Sequence, residues 1–164
     1  MGLVKRVSQD YVSNDEELYR NVRGEEEADE YYHDPNTKRL VITSKAFLDR
    51  KKEPSVDRAK LKNFDPRNSL LRENNGIISL ITEEVRQIGN VRSNDQKGNE
   101  FSHAVDVLAD PNPPDDPGNN AHALIVVEPK YLSSDKKGKA FQLLRRSLAR
   151  LATERGWKLE PQHS

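Results

Sequence analysis

No cysteine occurs in this chain of 164 residues. Disulfides, thiolate zinc sites, iron–sulfur clusters and a cysteine nucleophile are therefore excluded, since each of them requires a cysteine sulfur. A chain without cysteine suits a reducing cytosol, and we expect a cytoplasmic protein.

Apolar residues are also scarce. They make up 34% of the chain, and the 8 glycines leave the total below the roughly 45–50% that is typical of globular domains. No stretch approaches the ~18 apolar residues that a membrane-spanning helix needs. The first residues lack the apolar core of a signal peptide. We expect a soluble domain with a modest core and no membrane contact.

Neither sign of charge dominates, because 27 Lys and Arg balance 27 Asp and Glu. The distribution is uneven, however, with eight acidic side chains between residues 15 and 30 and nine basic ones between residues 130 and 158. Such an asymmetry can mark an acidic arm and a basic binding face. The alternative is that the two ends neutralise each other within one fold.

The N-terminal segment is predicted to be an acidic, partly flexible arm over residues 1–28. Ser13 or Asn14 can cap a short helix that runs to Val22, with acidic residues in its first turn, where the helix dipole favours them. Gly24 would end this helix.

The middle of the chain alternates short strand and helix patterns. Residues 31–43 have the pattern of a hairpin around His33-Asp34-Pro35-Asn36, and Ser44 can cap a short helix. Residues 55–61 are expected to form one or two helical turns. Residues 76–81 suit a buried strand, followed by a short helix from Thr82, and residues 94–100 suit a surface loop.

The clearest pattern covers residues 101–129, where two apolar runs flank a loop rich in Pro, Asp, Asn and Gly. We expect a strand, a long loop and a second strand. An amphipathic helix follows, capped by Ser134 and ended by Gly156. The expected fold class is α+β, with a small mixed or antiparallel sheet and the C-terminal helix packed on it. The single domain would span residues 29–158, and residues 159–164 would form a flexible tail.

The two histidines of this hairpin do not form a pair. If Ala109 lies opposite Ala121, His103 and His122 are separated by about five residue steps, or roughly 17 Å. They therefore cannot share one ion. His122 alone stands beside the loop acids, and the weak catalytic candidates are His122, Asp110, Asp115 and Asp116. These groups could bind a hard cation or position a water, or His122 could be a structural residue bonded to the loop backbone.

Arginines supply the remaining candidates for contact with an anion or a partner. Asp49, Arg50, Asp57 and Arg58 could form an ion-pair network between two short helices, or an arginine pocket for phosphate. Arg145, Arg146 and Arg150 would lie on the outer face of the last helix, where they could contact phosphates or remain solvated.

No common catalytic or nucleotide-binding motif occurs, since GxxxxGK[ST], GxGxxG, HExxH and GxSxG are all missing. No cofactor is indicated. The leading hypothesis is a small binding or adaptor module that contacts a protein partner through the acidic arm and the hairpin loop. The first alternative is a small hydrolase or nuclease centred on His122 and loop 110–120. The second is a nucleic-acid-binding accessory protein that uses the basic C-terminal helix.

Overall fold

The computed structural model describes residues 11–162. The strands are β1 (Glu17–Val22), β2 (Tyr31–His33), β3 (Leu40–Ile42), β4 (Ser55–Arg58), β5 (Gly76–Ile81), β6 (Arg92–Asn94), β7 (Glu100–Ser102), β8 (Ala104–Ala109), β9 (His122–Glu128) and β10 (Trp157–Leu159). The helices are α1 (Thr82–Arg86) and α2 (Lys139–Arg155), with short 3-10 helices at Glu26–Ala28, Ser44–Phe47, Ala59–Lys62 and Pro66–Ser69.

One six-stranded sheet organises the fold, in the order β10-β5-β1-β4-β9-β8. Every neighbouring pair in it is antiparallel. Two small hairpins, β2–β3 and β6–β7, stand beside it. The α+β class, the antiparallel sheet and the C-terminal helix packed on it are thus confirmed.

Helix α2 covers one face of this sheet with the apolar side that its sequence predicts. Phe141, Leu144 and Leu148 are buried in the main core, together with Leu18 and Ile125 of the sheet. Fully burying a side chain of this size contributes about 1.5–3 kcal/mol, so the helix and sheet stabilise each other. A smaller core on the opposite face contains Tyr19, Ala59 and Ile77.

Both ends of α2 are defined by local chemistry. Gly156 ends the helix with φ of 87°, a left-handed conformation that favours glycine, as predicted. The cap at the other end is not Ser134, because the Asp135 carboxylate accepts hydrogen bonds from the backbone N–H groups of Lys139 and Ala140.

The predicted N-terminal helix is wrong, because Glu17–Val22 form β1 in the middle of the sheet. Leu18 and Val22 enter the main core while Tyr19 enters the smaller one. A strand covered on both faces loses the simple alternation of a half-buried strand, and its leading acids resemble a helix start. The predicted arm therefore contains a central strand, and only its residues 1–10 lie outside the described part.

The other local predictions are confirmed in some segments and wrong in others. The β2–β3 hairpin, strand β5 and helix α1 are confirmed. The helical turns expected at residues 55–61 are confirmed only in their second half, since residues 55–58 form β4 and the 3-10 helix begins at Ala59. The loop expected at 94–100 is confirmed for residues 95–99, which form the turn of the β6–β7 hairpin. At the chain end, Leu159 belongs to β10, so the expected tail begins inside the sheet.

The β8–β9 hairpin is confirmed with a register shifted by two residues. Ala109 lies opposite Ala123 rather than Ala121. A shift of two preserves the face of every side chain, and the two histidines remain at opposite ends of the hairpin. Between residues 11 and 162, no helix is both long enough and apolar enough to cross a bilayer.

Candidate functional site

Strand pairing places His122 beside two carboxylates. Its ring Nδ1 lies 3.1 Å from the Asp110 carbonyl oxygen and 3.2 Å from Asp110 Oδ2. A carbonyl can only accept, so Nδ1 carries a proton and donates. On the other side, Asp57 of β4 is the residue directly opposite His122 in the sheet. The structure thus brings together two of the predicted residues, His122 and Asp110.

A hydrogen-bond chain surrounds Asp57. Ser69 Oγ donates to Asp57 Oδ2 at 2.6 Å. The Asn119 amide donates to Asp57 Oδ1 at 2.9 Å and to Asp116 Oδ2 at 2.8 Å. Asp116 is therefore tied to the same network, whereas Asp115 lines a separate cleft beside Asp110 and His122. The sequence provided no signal for Ser69, which lies 53 residues before His122.

These contacts anchor the loop to the sheet. The Ser69 hydroxyl is bonded to Asp57 and not to His122, so Ser69 and His122 do not form the nucleophile–base contact of nucleophilic catalysis. His122 donates to the Asp110 carbonyl of the loop backbone, which is the contact expected of a histidine that fixes the geometry of the loop. Within the described residues, no group of three or more His, Asp and Glu side chains is placed to hold a metal ion.

The predicted Asp49–Arg58 network does not form. Asp57 and Arg58 are neighbours in β4 and point to opposite faces, and Arg58 is buried in an ion pair with Glu16. Asp49 accepts hydrogen bonds from the backbone N–H groups of Lys51 and Glu53. Arg50 alone is exposed. Arg58 is therefore a structural residue and is inaccessible to a partner.

The helix arginines also separate into two kinds. Arg145 is not on a solvated outer face, because its guanidinium lies 5.0 Å from the centre of the Phe141 ring and donates to the Ser44 carbonyl at 3.4 Å. Burial, followed by the neighbouring Arg146 charge, lowers its pKa. Arg146 and Arg150 are exposed and flank a shallow groove between β3 and α2.

A basic cleft that sequence reasoning missed opens before the start of α2. This lysine cleft has a volume of about 510 Å³, and its walls include Lys51, Lys52, Lys130 and Lys136 around Tyr131. The turn before β4 supplies the first two lysines, and the segment between β9 and α2 supplies the others. Nearly 80 residues separate the two pairs in the chain, so only tertiary structure reveals the cluster.

The lysine cleft carries a net positive charge, because its four lysines outnumber the two carboxylates of its lining, Glu53 and Asp135. Within residues 11–162, none of its four lysines has a carboxylate oxygen within 4.0 Å, whereas Lys45, Lys60 and Lys158 each have one. Asp135 lines the cleft, but its carboxylate is engaged by the start of α2.

Tyr131 forms the uncharged wall of the lysine cleft. Lys52 Nζ lies 5.8 Å from the centre of the Tyr131 ring, within range of a cation–π contact. Burial, with the Glu53 charge, raises the pKa of Tyr131. The phenol therefore stays neutral at physiological pH and cannot balance the lysine charges. The surplus of lysines over carboxylates makes the electrostatic potential in the cleft favourable to an anion.

Comparisons with protein-family models, with curated proteins and with solved structures gave no match.

Proposed function

We propose that the protein is a small binding module that receives an acidic segment of a partner protein in the lysine cleft. The observation that carries this proposal is the convergence of four lysines without carboxylate partners on one cleft. Each exposed lysine–carboxylate contact contributes about 0.2–1 kcal/mol. Four such contacts contribute about 1–4 kcal/mol, which falls with salt because exposed charges are screened.

The location of this docking surface differs from the one expected from the sequence. Glu16 and Glu17 of the expected arm are engaged by Arg58, Lys60, Arg155 and Lys158. Because the arm also contains β1, its deletion would remove a central strand and would not be a clean test of docking. The lysine cleft can be altered without touching the sheet.

The test uses a fluorescein-labelled deca-glutamate peptide and fluorescence anisotropy. The variant K51Q/K52Q/K130Q removes three cleft charges, and K38Q/K62Q/K97Q removes three lysines that have no carboxylate within 4.0 Å in the described residues. We expect the cleft variant to bind about tenfold more weakly, since three contacts of about 0.5 kcal/mol approach the 1.4 kcal/mol of one decade. The control should bind within about twofold of the native protein.

Equal losses in the two variants would refute the proposal, because the peptide would then respond only to net charge. A single-stranded oligonucleotide serves as a second probe. Tighter binding of that probe, abolished by R146Q/R150Q and unaffected in the cleft variant, would favour the nucleic-acid-binding alternative instead.

A further inference from the structure

An exposed acidic corner, residues 25–29, complements the lysine cleft. Its short 3-10 helix Glu26–Ala28 has no buried residue. Glu25 pairs with Arg23, and Asp29 pairs with Lys45 at 2.9 Å. Glu26 and Glu27 are exposed, and no cation of the described residues lies within 4.0 Å of their carboxylates. Two negative charges are therefore available to a partner.

The acidic corner and the lysine cleft are joined by one short segment, residues 45–52. Thr43 Oγ1 donates to the Asp29 carbonyl at 2.7 Å and Lys45 bonds the Asp29 carboxylate, which ties the corner to the start of the segment. Lys51 and Lys52 at its end line the cleft. Seven residue steps span at most about 25 Å. A standard interface of about 800 Å² per partner is about 28 Å across, which is enough to cover the whole of this connecting segment.

An apolar residue lies in the middle of this segment. Leu48 is 53% exposed and stands three residues after Lys45 and three before Lys51. Along the chain, the contact with the acidic corner at Lys45 precedes this exposed leucine, and the lysines of the cleft follow it. Such an arrangement is complementary to itself when it is rotated by 180° about an axis through the leucine.

We propose that the partner of the lysine cleft is a second copy of this chain, in a two-fold symmetric dimer. This inference rests on the proposed function, since it assigns the acidic segment that occupies the cleft. The acidic corner of each copy contacts the lysine cleft of the other, and the two Leu48 side chains meet at the axis. Zero net charge removes the long-range repulsion that would oppose association of two copies.

The dimer can be tested by reversing the charge of the acidic corner and of the lysine cleft in separate variants. Sedimentation equilibrium at low ionic strength then measures whether each variant is monomeric or dimeric. The variants are E26K/E27K, which reverses the charge of the corner, and K51E/K130E, which reverses the charge of the cleft by leaving two lysines against four carboxylates. Each alone should be monomeric, because both contacts of its homodimer become repulsive. An equimolar mixture should form dimers, because both contacts of the mixed pair are attractive. The control K38E/K97E should remain dimeric.

A second set of variants tests the axis without changing either charged patch. L48R places two like charges together and should weaken dimerisation by at least about tenfold. The control L61R alters another partly exposed leucine, on the 3-10 helix Ala59–Lys62, and should leave the dimer intact. Circular dichroism shows whether each variant is folded.

Monomeric native protein, or a mixture of the two charge variants that stays monomeric, would overturn the dimer. Binding of the deca-glutamate peptide to the native cleft would still support the proposed function in that case. If the dimer is correct, the same peptide competes with the acidic corner and shifts the native protein towards monomer.

Discussion

Replacing Glu16 with glutamine tests how strongly the fold depends on one buried ion pair. Glu16 Oε1 accepts a hydrogen bond from Arg58 Nε at 2.8 Å, and Oε2 accepts others from Arg58 Nη2 at 3.0 Å and from Ser13 N at 2.7 Å. Both charged side chains are 4% exposed. Glutamine retains the size of the side chain, but it loses the charge and turns one acceptor oxygen into a donor that faces other donors.

Removing one partner of a buried pair costs about 3–5 kcal/mol, because the remaining charge stays buried without compensation. E16Q should lower the free energy of unfolding by this amount, a large part of the ~5–15 kcal/mol of an ordinary domain. At about 2–4 °C per kcal/mol for a chain of this size, Tm falls by about 6–20 °C. The double variant E16L/R58M removes both charges and should recover most of the loss.

The control is the exposed Lys45–Asp29 pair, whose side chains are 54% and 59% exposed. Because solvent screens such a pair, D29N should cost less than about 1 kcal/mol. Urea denaturation of the native protein and the three variants at neutral pH measures these differences. A loss below about 1 kcal/mol in E16Q would refute the reasoning, because the ion pair would then behave like a surface contact.

The stability difference between the native protein and E16Q should also depend on pH. Burial raises the pKa of Glu16, but the hydrogen bonds from Arg58 and Ser13, with the Arg58 charge, lower it by more, so the folded pKa lies below the ordinary value of 4.5. The carboxylate therefore contributes stability above that ordinary pKa, and the contribution is lost as the pH falls through the folded pKa. The stability gap between native protein and E16Q should narrow in acid. If the difference in unfolding free energy between the native protein and E16Q does not change with pH, the ionised Glu16 carboxylate is not its source.

Three further substitutions test the packing around the sheet by urea denaturation. H103L should cost about 1–3 kcal/mol, because the buried ring bonds Ser93 Oγ at 2.9 Å and the Pro129 carbonyl at 2.7 Å. G76A should cost about 1–3 kcal/mol and shift the tryptophan fluorescence, since a Cβ there would lie 2.6 Å from Trp157. L144A should cost about 2–5 kcal/mol, because it leaves a cavity where the fully buried Leu144 side chain packs under α2. A loss below about 0.5 kcal/mol in any variant would contradict its contact.

Elements with a strong periodic pattern could be predicted from the sequence. Phe141, Leu144 and Leu148 recur at helical spacing and face the core, and Gly156 ends the helix as expected. Strand β1 could not be predicted, because its Arg20 and Asn21 break the apolar alternation. These polar residues form contacts with parts of the chain that are distant in sequence, and no local pattern records such contacts.

The candidate sites likewise could be predicted only where their residues are close in the sequence. Asp110 and His122 are adjacent across a hairpin, so the sequence placed them together and the structure does so too. The lysine cleft combines residues 51–52 with residues 130–136, and its basic character depends on a tertiary contact. Arg58 shows the converse, because its charge suggested a binding role and burial with Glu16 removes it from the surface.

Arg20 connects the polar sequence of β1 to the proposed interface. Strand β4 pairs with β1 only at Leu18 and Tyr19, and beyond that point the Arg20 guanidinium donates to the carbonyls of Ala46, Leu48 and Ser55. These carbonyls lie in the segment that carries Leu48 and in the first residue of β4. The three carbonyls are bound by three different nitrogens, Nε, Nη1 and Nη2, whereas the donors of a lysine are all on one nitrogen. Arg20, which breaks the apolar pattern of β1, thus holds the backbone on both sides of the turn that carries Lys51 and Lys52.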